Sequence, residues 1–223
     1  MVAPIVFIGD SITEQWGNLR AKTFAAHDLI SRGGSGQTAR WITMRFRRDL
    51  EETGAKGVHL LCGVNDIGRN EGVFVPADEI ARIIAGMLDE ARAMGVTAWV
   101  GSIMPAARIP WNPEVPDAPA MIAAVNTWLR DHAHEHGATY IDYHSVLADP
   151  KGGLRRAYGT DGLHLNTAGY RAIEPLMLAA LGRVQPDAAV ADVRRAARGR
   201  IVGLIVAAAA VLAAVATLAL MTR

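Results

Sequence analysis

The sequence predicts a three-layer α/β/α sandwich on a five-stranded parallel sheet, followed by a C-terminal transmembrane helix. Two observations carry the globular part. Short apolar runs alternate with longer segments of helical periodicity, the pattern of parallel strands covered on both faces. Each apolar run also stops at a loop rich in glycine, aspartate, serine or asparagine, and open parallel sheets bind their ligands at such strand ends. The uncharged stretch 201–221, IVGLIVAAAAVLAAVATLALM, predicts the membrane helix.

The elements follow in order. Ile5–Ile8 reads as a strand that ends at Gly9-Asp10-Ser11, with Ser11 at the corner into a helix. Asp28–Ser31 is a short second strand. Thr38–Thr53 has Trp41, Met44 and Leu50 at helical spacing with arginines between them. Gly57–Leu61 is a third strand. Ala77–Met94 is an amphipathic helix whose stripe is Ile80, Ile83, Ile84, Met87, Leu88 and Ala91, closed by Gly95. Thr97–Met104 is a fourth strand, Met121–His136 a helix ended by Gly137, Thr139–Tyr143 a fifth strand and Thr167–Leu181 a last helix. The strand-end loops are then Gly9–Ser11, Gly33–Thr38, Gly63–Asp66, Met104–Pro119 and the segment after Tyr143.

A chain of 223 residues suits one domain with its own core, here residues 1–182. A net charge of +1 gives no field that favours nucleic acid. The single cysteine, Cys62, rules out an internal disulfide and sits in the apolar run HLLCGV as a buried structural thiol. The first apolar stretch is too short and lacks the basic flank of a signal peptide. Residues 183–200 form a basic linker. As a helix, 201–221 is about 30 Å long at about 1.5 Å per residue, a bilayer's hydrocarbon thickness. Arg194, Arg195, Arg198 and Arg200 precede it and only Arg223 follows, so the positive-inside rule keeps the N-terminal domain of a single-pass membrane protein in the cytoplasm. The rival reading packs this alanine-rich segment on the domain.

Read together, the loops hold the parts of a serine hydrolase: Gly9-Asp10-Ser11-Ile12, Gly33-Gly34-Ser35-Gly36-Gln37-Thr38, Gly63-Val64-Asn65-Asp66 and Asp161-Gly162-Leu163-His164. In these four blocks the chain resembles the SGNH hydrolases, the GDSL-type lipase and acylhydrolase superfamily, over roughly residues 3 to 182. Ser11, Gly36, Asn65 and His164 match the four residues for which that family is named, and Ile12 stands where its nickname has leucine. The fold class expected is accordingly a flavodoxin-like α/β/α sandwich.

The chemistry suits those residue types. A serine hydroxyl is a poor nucleophile until a base takes its proton, and histidine, with an ordinary pKa of about 6.5, is the base that works near neutrality. Asp161, three residues before His164, can reach the other ring nitrogen and fix the tautomer. The oxyanion needs preorganised donors: the Ser11 and Gly36 backbone N–H groups and the Asn65 side-chain amide, with Gly34 a rival to Gly36. Asp10 and Asp66 read as structural. The proline-stiffened loop carrying Trp111 is expected to wall the substrate pocket, with Met104 and His144 also at strand ends facing it. His132, His134 and His136 lack a further metal ligand and read as a solvated helix end. The expected activity is a serine esterase on a small-molecule ester, without metal or cofactor. A thioesterase, a lysophospholipase or an acyltransferase would use the same residues, and an idle ligand-binding module is the reading from another class.

Overall fold

The computed structural model describes residues 3–183. Five strands, β1 (Ile5–Gly9), β2 (Leu29–Gly33), β3 (Gly57–Leu61), β4 (Thr97–Gly101) and β5 (Ala138–Ile141), form one parallel sheet in the order β2-β1-β3-β4-β5. This is the flavodoxin-like order. The chain moves outward from β1 to β2 and returns to the opposite side of β1 as β3, so the switch point lies at the carboxyl ends of β1 and β3.

The strands are apolar almost throughout because both faces are covered. One face carries the register row Ser31, Phe7, His59 and Trp99. It packs against α1 (Ser11–Leu19) and α8 (Thr167–Ala180): Trp16 meets Phe7 edge-on at 5.5 Å, and the Trp99 indole donates to the Ala180 carbonyl at 3.0 Å. The other face carries Val6, Ile8, Val58, Leu60 and Val100 and is covered by α3 (Ala39–Thr53), α5 (Ala77–Ala93) and α6 (Ala118–His132), with α5 packed between its two neighbours. His59 is the buried polar side chain of the sheet, 0 % exposed. Burial pushes its imidazole down to about 3, so it is neutral, and its Nε2 pairs with the Tyr143 hydroxyl at 2.9 Å.

Several sequence expectations are corrected. The inward face of α3 is Ala39, Ile42, Phe46 and Leu50, while Trp41 and Met44 are 57 % and 86 % exposed. An apolar spacing of three was correct for a helix and wrong for its buried stripe, because α5 and β1 set the inward side. The strand expected over Thr97–Met104 ends at Gly101, where the Asn126 side chain replaces sheet partners by bonding both the N–H and the C=O of Ile103, at 2.7 and 3.0 Å. Helix α6 starts before Met121 because Pro119 lies in its first turn, where a missing N–H costs nothing. It gives way at Ala133 to a 3-10 turn, Ala133–His136. Three short helices escaped the periodicity: α2 (Ala21–Ala26), α4 (Val64–Ile67) and α7 (His144–Leu147).

The largest correction concerns the membrane. The helix expected over 201–221 and the linker 183–200 fall outside the described residues, Arg183 excepted. Among the described residues no helix is long and apolar enough to cross a membrane. The described residues therefore form the flavodoxin-like α/β/α sandwich, and no membrane-spanning helix is among them.

Candidate active site

The site forms at the switch point. β1 ends at Gly9, Asp10 caps the next helix by accepting the Ile12 N–H at 2.9 Å, and Ser11 becomes the first residue of α1. Ser11 is only 7 % exposed. Its Oγ lies 3.1 Å from His164 Nε2. The other ring nitrogen, Nδ1, lies 2.6 Å from Asp161 Oδ2. A carboxylate accepts only, so Nδ1 carries the proton and Nε2 turns its lone pair to Ser11. Asp161 is itself held, its Oδ1 accepting the His164 and Leu163 backbone N–H groups at 2.8 and 3.0 Å. Partial burial acts to raise its pKa, but these bonds and the ring contact prevail and hold the carboxyl below the usual aspartate value.

The oxyanion candidates follow β2 and β3, the two strands that flank β1. Gly36 has a φ of +75°, a left-handed conformation that favours glycine. Among the described residues its N–H donates to no protein group, whereas the N–H of its rival Gly34 is engaged by the Gly9 carbonyl at 3.0 Å. Asn65 is in α4, directly beyond β3, and is 2 % exposed. Its Nδ2 donates one proton to the Gln37 carbonyl at 2.9 Å, leaving the second without a protein partner among the described residues. Beneath the site, Arg45 ties the same loop to the sheet, bonding Gln37 Oε1 at 2.8 Å and the Gly9 carbonyl at 3.0 Å.

The remaining expectations fare differently. Trp111 comes to the site: its ring lies 6.2 Å from that of His164 and it is 42 % exposed. Met104 is 1 % exposed and belongs to the core, so it is not an open wall. His144 starts α7, where its backbone N–H donates to Ser102 Oγ at 2.8 Å, and burial lowers its imidazole pKa. No hydrogen bond or ring contact among the described residues joins Met104 or His144 to Ser11 or His164. Asp66 accepts the Ala39 N–H at 2.9 Å and so anchors the start of α3. Cys62 is buried beside the site, its thiol pushed well up by burial. Among the described residues no group of three or more His, Cys, Asp or Glu side chains could hold a metal.

Sequence reasoning did not single out Arg45, Gln37 or Asn70. All three act through loop geometry, and an arginine on a charged helix or an asparagine in a turn carries no signal at the level of residue type.

Comparison with known proteins gives a consistent picture. The model of the GDSL-like lipase/acylhydrolase family matches residues 7–172. A solved structure designated an acylhydrolase, from Bacteroides fragilis, is 32 % identical, with 81 % of this chain and 87 % of that one covered at a TM-score of 0.77. A GDSL-like lipase from Bacteroides thetaiotaomicron is 30 % identical, with 81 % and 88 % covered and a TM-score of 0.77. An acetylxylan esterase from Geobacillus stearothermophilus, at 17 % identity, shares the fold over 81 % of this chain and 94 % of its own, with a TM-score of 0.65. No curated protein matches.

Proposed function

This chain belongs to the GDSL-like lipase/acylhydrolase family and is a hydrolase acting on ester bonds; we propose that it works through an acyl-Ser11 intermediate. The observation that carries the proposal is the continuous chain Ser11 Oγ to His164 Nε2 to Asp161 Oδ2, at 3.1 and 2.6 Å.

In this reading Ser11 Oγ attacks the ester carbonyl while its proton passes to His164 Nε2. The imidazolium that results is stabilised by the ionised Asp161. The carbonyl oxygen becomes an oxyanion among the Ser11 and Gly36 N–H groups and the second amide proton of Asn65. Collapse breaks the bond to the alcohol oxygen, which takes the proton from His164. Water then attacks the acyl-Ser11 carbonyl, giving its proton to His164. The second collapse returns that proton to Ser11 Oγ and frees the acid. The Trp111 face beside His164 offers an apolar wall to the departing alcohol or the acyl group. Fold likeness to an acetylxylan esterase makes acetyl esters a sensible starting substrate.

The test is hydrolysis of aryl esters of increasing acyl length, from acetyl upward, by the full chain and by Ser11→Ala. The variant should lose about 10⁴- to 10⁶-fold in kcat, the loss typical of a deleted serine nucleophile. Equal rates for both proteins on every ester would reject Ser11 as nucleophile and favour an idle binding site. Product formed on added alcohols in preference to water would assign acyl transfer instead.

A further inference from the structure

Asn70 lies just past α4 and has no role in the scheme above, yet its side chain spends both of its donors, and accepts one bond, on the site. Its Nδ2 donates to Asn65 Oδ1 at 3.0 Å and to the Gly36 carbonyl at 3.0 Å. Its Oδ1 accepts from the Trp111 indole at 2.7 Å. Its backbone N–H donates to the Asn65 carbonyl at 3.0 Å. One carboxamide thus touches the glycine loop, the asparagine block and the tryptophan loop.

We propose that Asn70 is the positioning residue of the oxyanion site, orienting the Asn65 amide toward the reacting carbonyl and latching Trp111 beside His164. The inference rests on the acyl-Ser11 reading for its catalytic consequence, while the orientation itself follows from donor and acceptor counting. A carboxamide can sit in two orientations that differ by exchange of O and NH₂. An indole N–H can only donate, so Trp111 fixes which end of Asn70 is the oxygen. The NH₂ of Asn70 then faces Asn65, which must present its oxygen there. The NH₂ of Asn65 therefore points the other way, one proton to the Gln37 carbonyl and one toward the oxyanion position. Flipping Asn65 would set NH₂ against NH₂ at Asn70 and oxygen against oxygen at Gln37, two unmade bonds at the buried Asn65 side chain.

The seat of Trp111 is built to match. A Cβ on Gly68 would lie 2.7 Å from the indole, so only glycine lets the ring settle there. Asn112 ties the same loop down by donating to the Gly68 carbonyl at 3.2 Å. The indole is therefore both a wall of the site and the reference that sets the polarity of the relay.

The experiment compares Asn70→Asp with the parent protein, with Asn70→Ala as the second variant. Asn70→Asp keeps the shape and the acceptor for Trp111 but removes both donors. On aryl acetate, kcat should fall about 10²-fold, the loss of one oxyanion donor, with KM changed less than about twofold. In an Asn65→Ala background the same change should add little, because the two residues act as a unit. By NMR, the two side-chain amide protons of Asn65 should shift in both variants, whereas the Trp111 indole proton should keep its hydrogen-bonded position in Asn70→Asp and lose it in Asn70→Ala. Unchanged kcat in both variants, additive losses in the double variant, or unmoved Asn65 amide resonances would each overturn the proposal. Failure of the parent to exceed Ser11→Ala on any ester would reject the acyl-Ser11 reading instead, and the resonances would still decide the role of Asn70.

Discussion

The two halves of the site are held by different physics. On the Ser11–His164 side the holding is done by packing. α1 begins at Ser11 and α8 begins three residues after His164, and the two helices are locked together. Trp16 is fully buried and stacks on Tyr170 at 5.4 Å. The Tyr170 hydroxyl donates to the Ile12 carbonyl at 2.7 Å, and Glu174 accepts two bonds from Arg20 at 2.6 and 2.7 Å. On the oxyanion side the holding is done by hydrogen bonds among the amides of Asn65, Asn70 and Gln37 and the indole of the half-exposed Trp111. Apolar packing loses much free energy when cut, whereas exchangeable hydrogen bonds lose only about 1 kcal/mol net but fix direction. Damage to the first half should therefore appear in stability, and damage to the second in rate.

The sharpest way to break that comparison is Trp16→Ala. Deleting a fully buried indole costs about 3–5 kcal/mol, or on the order of 10 °C in Tm for a domain of this size. Asn70→Ala, by contrast, should shift Tm by only a few degrees. Thermal scans of both variants decide the matter. A Tm for Asn70→Ala as low as that of Trp16→Ala would erase the distinction.

The same division explains what could be read from the sequence. The parallel sheet, four of its major helices and the Asp161–His164 pairing were legible, since periodicity and short-range spacing are written in residue types, whereas the meeting of that pair with Ser11 was legible only through the resemblance to the SGNH hydrolases. The buried stripe of α3 was not, because Trp41 and Met44 are apolar yet lie outward, and only the neighbours of a helix decide its inward face. Met104 looked like a strand-end wall and is core, 1 % exposed in the segment that follows β4. Asn70 could not be read at all: its partners come from positions 36, 65 and 111, and a contact of that span has no local signature.

Asp10 sits at the junction of the halves, capping α1 with one oxygen while the other is buried without a hydrogen-bond partner among the described residues. Burial, opposed by the Ile12 N–H and reinforced by nearby Asp66, pushes its carboxyl from the ordinary 3.8 up to about 7. The folded protein thus binds the proton more tightly than the unfolded chain. Between about pH 4 and 7 this group costs stability as pH rises, by on the order of 2–4 kcal/mol in all. Asn keeps the cap and removes the charge. His59, neutral when folded and pushed down to about 3, acts in the opposite sense over an overlapping range, and Asp66, pushed up to about 6, acts in the same sense as Asp10. Both remain in Asp10→Asn, so the difference in stability between variant and parent reports Asp10 together with its coupling to Asp66. That difference should rise in favour of Asp10→Asn from about pH 4 to 7 and then level. Calorimetric scans at pH 4, 5, 6, 7 and 8 would show it, and a difference flat with pH would remove Asp10 from the account.

The smallest effect tests the packed half at one of its polar rivets. Tyr170→Phe keeps the ring against Trp16 and deletes only the hydroxyl that reaches Ile12. The Ile12 carbonyl lies within α1, where it has a helical partner, so the loss should be about 1 kcal/mol. If packing alone sets the spacing of α1 and α8, the Ser11–His164 contact survives and kcat stays within about threefold of the parent. A fall of 10²-fold at an unchanged Tm would mean that this single hydrogen bond, and not the aromatic stack, aligns Ser11 with His164. The packed half would then obey the same rule as the oxyanion half, with direction set by a polar contact and apolar burial supplying only the ground on which it stands.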